Sequence, residues 1–337
     1  VARDRVRIAA VDMGSNTTRL MVADVACDEA GVLTHEVLER RSTITRLAEG
    51  VDARGILLPV PITRVRIALT EYRAIARELG AVFVLATATS AVRDADNGEA
   101  FLGEVEHGFG FRATLLDGGQ EADATWAGVT SDPNLARRAL DEPGLLVDIG
   151  GGSTEVVLAE AGAIVDRHSF QLGSVRVTER FLGNDPGPPD PAHIEQARAH
   201  IRAELVARFP FPGPRPLALG VAGTATTVSA ILLGSKTYQP ELVHGFRFTR
   251  SELRRIIDLL ATCPLDKRQR VVGLEPERAQ VIVGGLLVLD ELMAHFALNE
   301  LETSERDILD GIALMAGQIA LDEGIEELPE PFGRTVC

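Results

Sequence analysis

Two apolar periods alternate along the chain. Short runs rich in β-branched residues at Val6–Val11, Leu20–Val25 and Leu33–Leu38 predict strands. The first run ends at Asp12, and the turn Gly14-Ser15-Asn16 separates it from the second. From Pro61 to Leu79 the spacing changes. Ile62, Val65, Leu69, Tyr72, Ile75, Ala76 and Leu79 recur at helical intervals, opened by a proline and closed by Gly80. Ala81–Ala86 then reads as a buried strand, Thr87–Gly98 as a polar connection, Gly98–Gly108 as a helix and Ala113–Leu116 as a short strand.

Strand signals begin again at Gly144–Ile149 and continue at Val156–Ala159 and Ile164–Phe170. Gly183–Pro191 is rich in proline and glycine and predicts a surface loop. Ile194–Ala207 reads as a helix, Leu217–Val221 as a strand, and Arg278–Phe296 and Arg306–Leu321 as long helices, with a loose tail after Gly324. Strands alternating with helices make this an α/β chain. Within it, Val11-Asp12-Met13-Gly14-Ser15-Asn16-Thr17 is echoed by Val147-Asp148-Ile149-Gly150-Gly151-Gly152-Ser153-Thr154. The echo predicts a duplicated domain, each copy presenting one hairpin to a shared cleft.

Composition narrows the function. At 337 residues the chain is long for one core, and two domains are expected. Its net charge of −15 disfavours general binding to nucleic acid or to an anionic membrane. Any polyanion must therefore be held by a few arginines and by oriented backbone N–H groups. No apolar run is long enough to span a bilayer, and the first residues show no signal-peptide pattern. Cys27, Cys263 and Cys337 are odd in number and far apart, which predicts reduced thiols in a cytoplasmic protein rather than a disulfide or zinc framework.

Candidate chemistry gathers at the glycine-rich turns. A tight turn of Gly14, Ser15 and Asn16 followed by Thr17 can cup phosphate oxygens with backbone N–H groups and add side-chain donors. Read alone, the same four residues are an ordinary hairpin turn. Three successive glycines ending at Gly151 and Gly152, then Ser153 and Thr154, imply that something approaches the main chain closely. Asp148 and Glu155 flank this second turn. Two carboxylates beside a phosphate nest need a cation between them and the phosphate. Gly223 and Thr224 open a helix after a strand, a position that suits an anion, although Thr224 serves equally as an N-cap. Glu121 lies in the first turn of a helix, either as a dipole partner or as a carboxylate that orients a water. Arg93 follows a buried strand, either clamping phosphate or pairing with Asp94 or Asp96.

Taken together, these segments resemble the exopolyphosphatase and guanosine pentaphosphate phosphohydrolase family, within the superfamily of actin and the sugar and acetate kinases. The resemblance rests on Asp12 to Leu20, Ala88 to Ala95, Gly118 to Ala122, Asp148 to Glu155, Leu172 to Phe181 and Ala222 to Thr224. It implies an α/β fold of two ribonuclease-H-like (actin-like ATPase) domains flanking an interdomain cleft. The expected domains are 1–125 plus 306–330 and 126–305. It implies Glu121 as the catalytic carboxylate, Arg93 on phosphate, and Asp148 with Glu155 organising Mg2+. The expected substrate is inorganic polyphosphate, with guanosine pentaphosphate the alternative; an ATP-dependent kinase or a non-catalytic phosphate sensor are further alternatives on this fold. No nucleic-acid or membrane partner is expected, and a homodimer is a candidate assembly. Two departures stand out: Gln120 replaces the first of two glutamates usual in the family, and Leu309-Asp310-Gly311 stands where Arg-Glu-Gly is common.

Overall fold

The structure is a computed structural model that describes residues 5–183, 185–210, 213 and 215–329. It divides into two compact units, Val1–Ser131 with Ile308–Cys337 and Asp132–Asp307. Unit 1 is built on β1 (Arg5–Met13), β2 (Thr17–Cys27), β3 (Leu33–Ile44), β4 (Phe83–Ala88) and β5 (Arg112–Leu115). These pair in the order β3-β2-β1-β4-β5. β1 runs antiparallel to β2 and parallel to β4. Unit 2 contains β6 (Gly144–Ile149), β7 (Thr154–Glu160), β8 (Ala163–Phe170), β9 (Leu217–Val221), β10 (Arg247–Thr249) and β11 (Glu300–Thr303). Their order is β10-β11-β9-β6-β7-β8. β6 runs antiparallel to β7 and parallel to β9. Apart from the extra edge strand β10, the second sheet repeats the first, with β6, β7, β8, β9 and β11 in the places of β1, β2, β3, β4 and β5.

The central strands are apolar because both their faces are covered. Every residue of β4, β6 and β9 is buried. In unit 1 the helix Ile308–Glu323 lies on the sheet, packing Leu309, Ile312, Ala313 and Ala316 against Ile8, Ala10, Met21 and Val25. Gly311 and Gly317 permit this approach: a Cβ on Gly311 would fall 1.9 Å from Ala124 O, and one on Gly317 would fall 2.4 Å from a Val25 methyl. In unit 2 the helix Ile282–His295 is apolar on nearly every side and forms the core with Leu145, Val147 and Val156. Its one strongly charged stretch, Asp290-Glu291, is neutralised by Arg198, Arg250 and Arg202 at 2.6–2.9 Å.

Several elements differ from their sequence-based bounds. The helix expected from Arg278 starts at Ile282, because Pro276–Arg278 forms a separate 3-10 turn. The polar connection after β4 contains a helical turn, Ser90–Arg93. β3 extends to Ile44, beyond Leu38. The helices Pro133–Asp141 and Arg250–Ala261 and the strands β10 and β11 went unforeseen. The part of the tail from 330 to 337, including Cys337, lies outside the described residues. Among the described residues no helix is long and apolar enough to cross a membrane.

Asp310 has a structural explanation. It is fully buried and accepts from His35 Nε2 at 2.9 Å and Arg40 Nη2 at 2.6 Å, tying the C-terminal helix to β3. Its neighbour Gly311 supplies a test of the packing. Gly311→Ala places a methyl on a backbone oxygen that cannot move aside, and the expected cost is about 1–3 kcal/mol. Trp126 is the single tryptophan and sits in unit 1, so its fluorescence follows the unfolding of that unit in urea. An unchanged midpoint would refute the close contact.

Candidate active site

In unit 1 the turn between β1 and β2 is closed by Gly14 N–H donating to Thr17 O at 3.1 Å. A Cβ on Gly14 would sit 2.9 Å from that same oxygen. The turn carbonyls point at the segment after β3: Ala48 N–H donates to Ser15 O at 2.8 Å, and Thr45 and Arg46 N–H donate to Asn16 O at 3.0 and 2.9 Å. Arg46 adopts a left-handed backbone (φ 50), an uncommon conformation that brings its N–H onto the oxygen Thr45 already uses. In a planar trans peptide the carbonyl and the following N–H point in opposite directions. The N–H groups of Asn16 and Thr17 therefore face away from residues 45–48. Asn16 is buried, and its side-chain Oδ1 has no hydrogen-bond partner among the described residues, as expected of a ligand-facing position. Ser15 Oγ meets Ser90 Oγ at 2.8 Å, fixing the turn to the helical start after β4.

Three residues beyond Ser90, Arg93 donates to Leu116 O at 2.8 Å and to Glu121 Oε1. This carboxylate is a partner that its sequence neighbours did not suggest. Glu121 is 4% exposed, in the first turn of Gly118–Thr130. Asp117 caps that helix, accepting from Gln120 N–H at 2.8 Å, while Gln120 Oε1 accepts from Asp117 N–H at 2.9 Å. Adjacent helical residues point about 100° apart, so Gln120 is exposed while Glu121 is buried. Glutamine serves this capping box as well as glutamate does, which accounts for the departure at position 120.

Unit 2 repeats the device. Gly150 N–H closes the turn on Ser153 O at 3.0 Å. The carbonyls of Gly150, Gly151 and Gly152 accept from Ser174, Val175 and Gly173 N–H at 2.8–3.2 Å, and Arg176 Nε also reaches Gly152 O at 2.8 Å. By the same peptide geometry, the N–H groups of Gly151, Gly152 and Ser153 face away from 173–176. The chain's own main chain approaches this side of the turn closely: a Cβ on Gly173 would lie 2.1 Å from Gly151 O. Thr154 Oγ1 donates to Leu172 O at 2.5 Å, so its hydroxyl braces this same junction.

Asp148 and Glu155 are direct cross-strand partners, both buried. In unit 1 the equivalent register pairs Asp12 with Arg19, whose Nη2 donates to Asp12 Oδ2 at 2.7 Å. Opposite charges face each other in one copy and like charges in the other. Two carboxylates in this arrangement repel, which is the electrostatic condition for holding a cation. Ser169 Oγ donates to Glu155 Oε1 at 2.7 Å and orients it. Among the described residues no group of three or more His, Cys, Asp or Glu suited to a metal assembles. A carboxylate pair suits Mg2+, which keeps waters and takes substrate phosphates as ligands.

The third loop follows β9. Ala222 is left-handed (φ 61) at the abrupt strand-to-helix junction. Thr224 is buried with Oγ1 3.4 Å from Ile149 O, and the cap residue is Val221, so Thr224 is not an N-cap. Gly223 lies under a guanidinium: a Cβ there would fall 1.9 Å from Arg278 Nη1. Gly284 and Gly285 let the core helix approach Ser174 O at 2.8 Å and Thr224 Oγ1 at 2.6 Å, measured to their built Cβ positions. Sequence reasoning missed Arg46, Gly173, Arg176, Arg278, Gly284 and Gly285. Gly173 and Arg176 stand in the segment Leu172 to Phe181 that carried part of the resemblance; the others have no local signal.

The model of the Ppx/GppA phosphatase family matches residues 25–316. Exopolyphosphatase 2 of Mycobacterium tuberculosis is 36% identical over 322 residues, covering 91% of this chain and 98% of that protein. Exopolyphosphatase 1 of Mycobacterium tuberculosis is 28% identical and covers 92% of this chain and 88% of its own. Among solved structures, an exopolyphosphatase-like protein superposes with a TM-score of 0.87 at 30% identity, covering 95% of this chain and all of the other. A family member from Aquifex aeolicus gives 0.75 at 27% identity, with 95% and 99% covered.

The loop geometry has its own test. Gly173→Ala forces the 173–176 turn away from the glycines. Amide hydrogen exchange at Ser174, Val175 and Arg176 should then accelerate by at least about tenfold, the loss of roughly one hydrogen bond's worth of protection. Unchanged exchange would mean that these N–H groups do not hold the loop.

Proposed function

Because the chain belongs to the Ppx/GppA phosphatase family, we propose that it is an exopolyphosphatase, hydrolysing the terminal phosphoanhydride of inorganic polyphosphate to release orthophosphate. The observation that carries the mechanism is Glu121, a buried carboxylate at a helix start whose position is fixed by Arg93. Water is a poor nucleophile toward a crowded, negatively charged phosphoryl group, and a fixed carboxylate beside it lowers the barrier by taking its proton. In this reading Glu121 accepts the proton as water oxygen bonds to the terminal phosphorus. The bond from that phosphorus to the bridging oxygen breaks, and the shortened chain leaves with its electron pair.

The outward N–H groups of Asn16, Thr17, Gly151, Gly152 and Ser153, with the third loop at Gly223 and Thr224, hold phosphoryl oxygens. Arg93, held at Glu121 and Leu116 O, is the arginine assigned to the phosphate anion in this reading. Arg278, lying on Gly223, adds a further cation. Asp148 and Glu155 are the residues that would hold Mg2+, which supplies charge neutralisation of the phosphate chain when bound. The free thiols of Cys27 and Cys263 accord with a reducing, cytoplasmic setting.

Two variants test this assignment. Glu121→Gln should cut single-turnover phosphate release from polyphosphate by roughly 10²–10⁴-fold while equilibrium binding of polyphosphate is retained. Unchanged turnover would move the base to another carboxylate. Asp148→Asn removes one of two facing charges, so the remaining pair binds the cation more weakly. The magnesium concentration for half-maximal release should rise, with the fold intact by circular dichroism. A magnesium titration identical to that of the parent protein would remove Asp148 from the metal site.

A further inference from the structure

Unit 2 contains a cavity of about 490 Å³ beside the π-helical turn Thr178–Leu182. The start of the helix Pro191–Arg208 and the short helix Leu265–Arg268 form its other walls, and Leu265 N–H holds the loop wall through Pro186 O at 2.7 Å. This volume is in the range of small-molecule sites. Its lining includes Gln280, Gln196, His193 and Arg268, side-chain types that can donate hydrogen bonds.

Arg268 sets the chemistry. It is 4% exposed, and its Nε, Nη1 and Nη2 each donate to a backbone carbonyl, those of Leu260, Ala279 and Cys263, at 3.0 Å. Among the described residues no carboxylate lies within ion-pair distance of it. Three carbonyls satisfy three of five guanidinium N–H donors and leave the charge uncancelled. Burial pushes the Arg268 guanidinium below its ordinary pKa, with no carboxylate to offset the cost. Glu179, Asp185 and Asp190 also line the cavity, and Arg180 adds a positive charge. Asp185, Asp190 and Arg180 are exposed and Glu179 half-buried, so solvent and salt weaken their fields, while the buried guanidinium keeps most of its own.

We propose that this cavity is a binding site for a phosphoryl-bearing small anion, with Arg268 as its buried counter-charge. A phosphoryl group offers three oxygens to several donors at once, which this wall of Arg, Gln and His matches better than it matches a single-oxygen ligand. The site lies outside the glycine loops yet is continuous with them. Thr178 Oγ1 donates to Ser174 O at 2.7 Å, and Ser174 N–H holds Gly150 O.

Hydrogen exchange with two probes, the methylene-bridged analogue of inorganic triphosphate and GDP, tests the site and distinguishes a condensed phosphate from a nucleoside phosphate. At least one probe should protect amides within 178–190. Arg268→Lys keeps the charge and loses the fork, and should weaken that protection by roughly tenfold to a hundredfold in probe concentration. Since Arg268 also pins three carbonyls, His193→Trp serves as the second variant: it fills the mouth from an exposed position, should leave the melting temperature unchanged, and should abolish the same protection. Protection confined to 12–18 and 148–156, no protection from either probe, or protection within 178–190 that survives His193→Trp would overturn the proposal. The readout is independent of phosphate release, so it stands or fails separately from the hydrolase reading.

Discussion

The direction of a few peptide planes governs the candidate site. In each unit the carbonyl oxygens of a glycine-bearing turn are held by N–H groups of a neighbouring segment, 45–48 in unit 1 and 173–176 in unit 2. Planarity then sends the turn's own N–H groups the other way. A strongly acidic chain thereby presents positive potential to an anion without spending surface lysines. The arrangement depends on close backbone approach. At Gly173 even a methyl would lie 2.1 Å from a carbonyl oxygen, so packing inside the unit, rather than ligand contact, sets the demand for glycine there.

Duplication supplied two copies of this device, and the copies diverged at one register position. Asp12 faces Arg19 and forms a salt bridge with it; at the equivalent register Asp148 faces a second carboxylate, Glu155. Like charges at this register suit the cation proposed for this turn. The loops after the strands parallel to each first strand diverged too. After β4 the chain carries Ser90 to Ser15 and Arg93 to Glu121, and after β9 it carries Gly223 under Arg278. The proposed catalytic carboxylate on one copy and the proposed metal-holding carboxylates on the other would be separate uses of one plan.

Much of this was legible in the sequence. The apolar runs and the Asp-to-turn echo located both hairpins, and the spacing from Ile62 to Leu79 located the helix Pro59–Glu78, because each signal is local. The strand order of each sheet follows from the echo once parallel and antiparallel neighbours are known. Partners distant in sequence were harder to read. Arg93 bonds Glu121, 28 positions away, where a helical turn directs its side chain, and nothing in its local sequence signals that partner. Gly284 and Gly285 read as ordinary residues in an apolar helix until Ser174 and Thr224 are seen against them. The strands β10 and β11 are only three and four residues long, too short to show a period. Gln120 read as a lost carboxylate, and its capping box shows that its work is structural.

The central claim concerns the bond that is cut. The most direct measurement compares phosphate release from long polyphosphate, triphosphate, guanosine pentaphosphate and ATP on one enzyme preparation, with magnesium and with chelator. The account predicts magnesium-dependent release of orthophosphate from polyphosphate, with the chain shortened from its end and ATP a poor substrate. Phosphoryl transfer from ATP to an acceptor, or no turnover of any of the four with magnesium present, would contradict it.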